Sequence, residues 1–222
     1  MNGRDFKLGL KMIKYGLQYK AILVMMIVFT VLGTLFEVSG TMGAMGGVYF
    51  VIAGAMISQM IISSTVSSYV AASPEAQKLQ GIIPCVITCI VLFIEYTYFI
   101  VLRFVVTGAW NHLGDTSFAV ANFSGALVVG ALAFFIQLYD VFSSKCFIPA
   151  MILMIVTEVP LISFSDRFIR FVPELPNLWL YIAGGYVIII VGCVVGILCA
   201  RLMRKKNLDP RAYRSALKNA GR

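Results

Sequence analysis

The sequence predicts an all-α integral membrane protein with six transmembrane helices, and two observations carry that prediction. The 222-residue chain is 60% hydrophobic and only 13% charged, whereas soluble domains are about half apolar and about a quarter charged. Its apolar residues gather into runs long enough to cross a hydrocarbon core, which takes about 20 residues as a helix. The length fits one transmembrane domain over residues 1–222 and no second soluble domain.

Six runs qualify: about Ala21 to Phe36, Met42 to Ile62, Ile82 to Val106, Phe118 to Tyr139, Phe147 to Phe164 and Leu178 to Ala200. The first follows a basic segment, as a secretory signal would. It continues through "LFEVSG" without a small-x-small cleavage site, so it is expected to be retained. Ahead of it, in "RDFKLGLKMIKYGLQYK", Arg4, Lys7, Lys11 and Lys14 recur at helical spacing beside an apolar stripe of Phe6, Leu10, Ile13 and Leu17. A helix of this kind over residues 1–20 lies in the membrane surface. The plainer alternative is a basic leader that only fixes orientation.

Orientation follows from Lys and Arg placement. One side collects Arg4, Lys7, Lys11, Lys14, Lys20, Lys78 and Lys145 together with the basic tail 201–222; the other collects Arg103, Arg167 and Arg170 and the acids Glu37, Asp115, Glu158, Asp166 and Glu174. Both termini are therefore expected in the cytoplasm. The net charge of +8 reads first as a topology signal, with anionic membrane lipids as the partner of the basic ends. Nucleic acid is not expected, because the tail offers only Tyr213 as a stacking aromatic. No cysteine falls in a predicted outer loop, and with the short loops this suits a bacterial plasma membrane. Cys85 and Cys89 share a helix face, read as packing.

Within the spans, Gly43, Gly47 and Gly54, and Gly192 with Gly196, stand at close-packing spacings, either inside one chain or across a dimer seam. Trp110 and Trp179 suit a membrane interface. The connection "TEVPLISFSDRFIRFVPELPNLW" carries too many aromatics for a water-exposed loop, so a short interfacial or re-entrant segment is expected before the sixth span.

Catalytic chemistry is thin. His112 is the single histidine, near Asp115, and neither a zinc-protease motif nor a Gly-x-x-x-x-Gly-Lys phosphate loop occurs. No enzyme activity is expected of the chain itself, and it needs no cofactor or metal of its own. Glu95, near the middle of the third run, admits three readings: a polar contact on a transport path, a proton-coupled site, or a structural hydrogen bond. Gln59 and Gln137 are weaker candidates for the same path.

The segment "SPEAQKLQGIIP" reads as a short capped helix. Ser73 is its N-cap, Pro74 suits the first position, and Glu75 favours the positive end; Gly81 ends it and Pro84 restarts the chain. A rigid peg that transmits a push from a partner needs such features; a plain interfacial turn helix is the alternative.

The surface helix, the six runs, this "SP"-initiated helix between the second and third runs, and the segment before the sixth together resemble the ABC-2 type exporter permeases. The resemblance implies a coupling helix of Ser73, Pro74, Glu75, Ala76, Gln77, Lys78, Leu79 and Gln80 that contacts a separate ABC ATPase subunit, present in two copies. It implies ATP and magnesium on that subunit, a second permease copy or a related permease, and export of a peptide, antibiotic or lipid-like substrate. The short connection near Ser39 departs from the family, leaving no room there for a substrate-receiving domain. Two rival readings are the substrate-binding membrane subunit of a vitamin-uptake transporter and a membrane assembly factor without transport.

Overall fold

The computed structural model describes residues 7, 19–40, 44–65, 78–163 and 165–203. Among them the chain is all-helical. Helix α1 (Tyr19–Ser39) stops at Gly40, whose φ of +62° suits a residue without a Cβ. Helix α2 (Met45–Thr65) returns antiparallel to it. Helix α3 (Ile83–Thr107) is preceded without a break by a π-helical turn, Lys78–Ile82. It ends at Gly108, also left-handed at φ 62°, whose N–H donates to Phe104 O. Asp115 caps helix α4 (Thr116–Lys145) by accepting from the Phe118 amide at 3.1 Å.

Next come α5 (Phe147–Leu153), a second π turn (Met154–Glu158), α6 (Val159–Ser163) and α7 (Ser165–Ile169). Helix α8 (Leu178–Leu202) closes the described chain, capped by Asn177, which accepts from the Trp179 amide at 3.1 Å.

Among the described residues, four helices are long and apolar enough to cross a membrane: Tyr19–Ser39, Leu79–Thr107, Thr116–Ser143 and Leu178–Leu202. The other two expected spans coincide with shorter apolar stretches, Met45–Ser58 and Ile148–Ser163. A wide apolar surface remains exposed, including Val24, Ile27, Val31, Leu35, Ile94, Val101, Val105, Val187 and Val194. Faces this extensive are uncommon on proteins that live in water; they are the property of a helical membrane protein.

Both π turns end two residues before a proline, Pro84 and Pro160. Proline has no N–H for the carbonyl four residues back, and its ring crowds that carbonyl. Widening the preceding turn accommodates it without breaking the helix. The sequence reading, with Gly81 ending one helix and Pro84 starting another, is therefore corrected: Lys78 to Thr107 is one continuous rod. Gly81 serves packing instead, because a Cβ there would lie 3.3 Å from that of Ala200 on α8.

The bundle is built around α4, the most enclosed of the long apolar helices. Its broadest contact is with α8, and it also meets α2 and α3. At the closest α4–α8 approach, a Cβ on Gly130 would come 2.9 Å from Gly185 Cα. A Cβ on Gly185 would collide with the Tyr96 hydroxyl, which donates to Ile182 O at 3.2 Å. The glycines singled out in sequence serve contacts within the chain: Gly47 faces Val129 and Phe99, Gly54 faces Leu92, and Gly192 faces Gln137 and Phe134. Gly43 lies outside the described residues.

In the connection before α8, Phe168, Ile169, Val172 and Leu175 pack on the core while Phe171 is exposed. Tyr181 holds this segment down, donating to Pro173 O at 3.0 Å and accepting from the Leu175 amide at 2.7 Å.

Gly130→Val should destabilise the bundle by about 1–3 kcal/mol, the usual cost of overpacking. An SDS-unfolding titration of the purified protein checks this; an unchanged midpoint would refute the close α4–α8 contact.

Candidate functional site

The polar side chains inside the bundle fall into three layers. The first lies toward the end that carries Gly108. Glu37 of α1 is 4% exposed, and Arg103 of α3 donates to it through Nε at 3.0 Å. The same guanidinium donates through Nη1 to Asn122 O of α4 at 2.9 Å and lies 5.1 Å from the centre of the Phe99 ring. Gly46 of α2 lies against the carboxylate, and a Cβ there would collide with the Glu37 side chain. One ion pair thus gathers four helices. Such a pair gains most from geometry and supplementary hydrogen bonds, since desolvating both charges is costly.

The middle layer holds Glu95 of α3. It is half-buried, and a Cβ on Gly54 of α2 would lie 3.5 Å from its Cγ. Glu95 makes no hydrogen bond or ion pair among the described residues. The structural hydrogen bond, one of the three readings of Glu95, has no counterpart among the described residues, where Tyr98 meets Thr34 at 3.3 Å and Tyr186 meets Thr97 at 2.9 Å. Thr97 spends its proton on Phe93 O, so Tyr186 is the donor to it. An unpaired ionised carboxylate at mid-bilayer costs about 2.5–3.5 kcal/mol on insertion scales.

The third layer lies toward Lys145. Gln137 of α4 is buried, and its Nε2 donates to Ile189 O of α8 at 3.2 Å. Its Oε1 has no hydrogen-bond partner among the described residues. Asp140 is buried and accepts from Ser58 Oγ of α2 at 3.0 Å. Cys89 of α3 and Cys193 of α8 lie side by side.

Glu95 and Gln137 therefore do not converge. Glu95 opens on the α2–α3 seam and Gln137 on the α4–α8 seam. Gln59 lies on α2, and its side chain is outside the described ones. Of the expected ATPase-contact residues, Ser73 to Gln77 lie outside the described residues. Lys78, Leu79 and Gln80 form the π turn, where Leu79 packs with Ile83 and Ile87 against Ile57 and Val91. Of the surface-helix residues, only Lys7 is described, helical and exposed; Arg4, Lys11 and Lys14 lie outside. His112 is exposed and stacks on Phe118 at 4.6 Å, and Asp115 is committed to its cap.

Sequence reasoning missed the Glu37–Arg103 pair by counting both as charges of the Gly108 end. The available signal was that Arg103 sits within the third apolar run and Glu37 directly follows the first. It also ended the fourth span at Tyr139, whereas α4 continues to Lys145 and carries Asp140 into the bundle.

No model of a known protein family, no curated protein and no solved structure matches the chain. The class is thus defined by the fold itself: a helical membrane protein with paired polar groups inside its bundle.

Replacing Arg103 with Met should cost about 3–5 kcal/mol by leaving Glu37 buried without its partner. Glu37→Met with Arg103→Met together should cost less than Arg103→Met alone, because neither charge is stranded. Unfolding midpoints of the single and double variants decide it.

Proposed function

We propose that the chain is the transmembrane permease subunit of an ATP-driven ABC-type exporter, passing a peptide, antibiotic or lipid-like substrate out of a bacterial cell. In this reading six helices cross the plasma membrane, with α2 and the α5–α6 stretch completing the set and both termini in the cytoplasm. A surface helix precedes α1. A separate ATPase subunit in two copies holds ATP and magnesium, and a second permease copy or a relative completes the path.

The observation that carries the reading is the continuity of the rod from Lys78 to Thr107. A partner pressing on a helix at Ser73 to Gln80 would act on the entrance of a rod that runs the depth of the bundle. Leu79, Ile83 and Ile87 seat that entrance against α2. Farther along, the same rod carries Glu95 and then Arg103. A push would therefore reach both polar layers without passing through a flexible joint.

The experiment is co-purification with an ATPase subunit encoded beside the gene, followed by transport in proteoliposomes. Replacing Glu75, Lys78 and Leu79 together should abolish assembly or coupling while membrane insertion persists. Inserting two glycines after Gly81 should leave ATP hydrolysis in place and reduce transport at least about tenfold. Full transport from the glycine-insertion variant would remove the rod from the mechanism.

A further inference from the structure

We propose that Glu95 is a proton-binding site in the middle of the bundle: its carboxyl carries a proton while it faces the closed α2–α3 seam and releases it when that seam admits water. The inference does not rest on the exporter reading, because it concerns the resting bundle alone.

Depth is the first observation. At 1.5 Å per residue, Glu95 stands about 24 Å from Leu79 at one end of the rod and about 18 Å from Thr107 at the other. Both ends of its helix are too far for the side chain to reach water along its own axis.

The second observation is the lack of a countercharge among the described residues. Arg103 is committed to Glu37 and to Asn122 O. Several titratable groups on the helices packed against α3 have other partners, and the cations Lys20, Lys145 and Arg201 stand at the helix ends. Tyr49 of α2 stacks on Phe36 of α1, Asp140 of α4 meets Ser58, and Tyr186 of α8 meets Thr97. On α3 itself, Tyr96 donates to Ile182 O, Tyr98 meets Thr34, and Cys89 meets Cys193 of α8. A carboxylate in apolar surroundings with no cation must acquire a positive charge or leave.

The third observation is space. A Cβ on Gly54 would already lie 3.0 Å from Leu92 and 3.5 Å from Glu95 Cγ. The seam is closely packed at Gly54 beside Glu95, and a proton needs no room there. Nor do three His, Cys, Asp or Glu side chains gather to hold a metal among the described residues. Glu37 provides the internal contrast: it is sealed and ion-paired, whereas Glu95 is half-buried and has no ion-pair partner among the described residues. Two carboxyls in one bundle are thereby assigned different roles, one as a tie and one as an exchangeable site.

Dicyclohexylcarbodiimide, an apolar reagent for protonated carboxyls, provides the test on the purified full chain in liposomes. The carboxyl proton passes to a carbodiimide nitrogen while the carboxylate oxygen bonds to the central carbon, and the adduct rearranges to a stable N-acylurea with nothing lost. Peptide mass spectrometry reads the sites, with exposed Glu174 as the reference within the chain. Near pH 7, Glu95 should be modified at least about tenfold faster than Glu174, because the reaction consumes the carboxyl's own proton. Glu37 should stay unmodified, and Glu95→Gln should abolish the adduct on that peptide. An unmodified Glu95, or one modified no faster than Glu174, overturns the proposal. Because the labelling needs neither ATP nor a partner, its failure is distinct from a failure of the exporter reading.

Discussion

A charge in an apolar medium must find its partner inside the protein, and in this bundle the Glu37–Arg103 pair meets that requirement for the helix least enclosed by the others. Helix α1 presents most of its surface outward. Because lipid is as apolar as its side chains, hydrophobic burial gives it little reason to stay. What holds it is specific: the ion pair, the Tyr98–Thr34 contact, the stacking of Phe36 on Tyr49 at 5.0 Å, and the closeness of Gly33 to Phe50. Since Arg103 also reaches α4 through Asn122 O, the tie extends from the periphery of the bundle to its centre.

The other side of the bundle is joined differently. Between α4 and α8 the glycines Gly130 and Gly185 bring backbones together, and the space each leaves is taken by its neighbour's chain or by the Tyr96 hydroxyl. Dispersion at short range replaces charge there. The Gln137 amide, bonded to the Ile189 carbonyl, adds a polar link farther along the same seam. One seam is thus held by few strong contacts and the other by many weak ones.

The two prolines show how a local defect is turned to use. Each would break an α-helix, and each is absorbed by a π turn just ahead of it. At Pro84 the outcome is a rod that enters the bundle already seated by Leu79. At Pro160 it is a helical stretch assembled from short pieces, which leads into the connection pinned by Tyr181.

The sequence by itself determined the all-helical class, the approximate extent of the long apolar runs, and the presence of an acid near the middle of the third run. These are legible because hydropathy depends on residues a few positions apart. It did not reveal that Glu37 pairs with Arg103, that Asp140 enters the bundle to meet Ser58, or that Glu95 and Gln137 open on different seams. Those outcomes depend on the rotation of each helix about its axis and on partners 66 and 82 residues apart. A run of apolar residues says that a helix is buried; only the packed bundle decides which of its faces meets which neighbour.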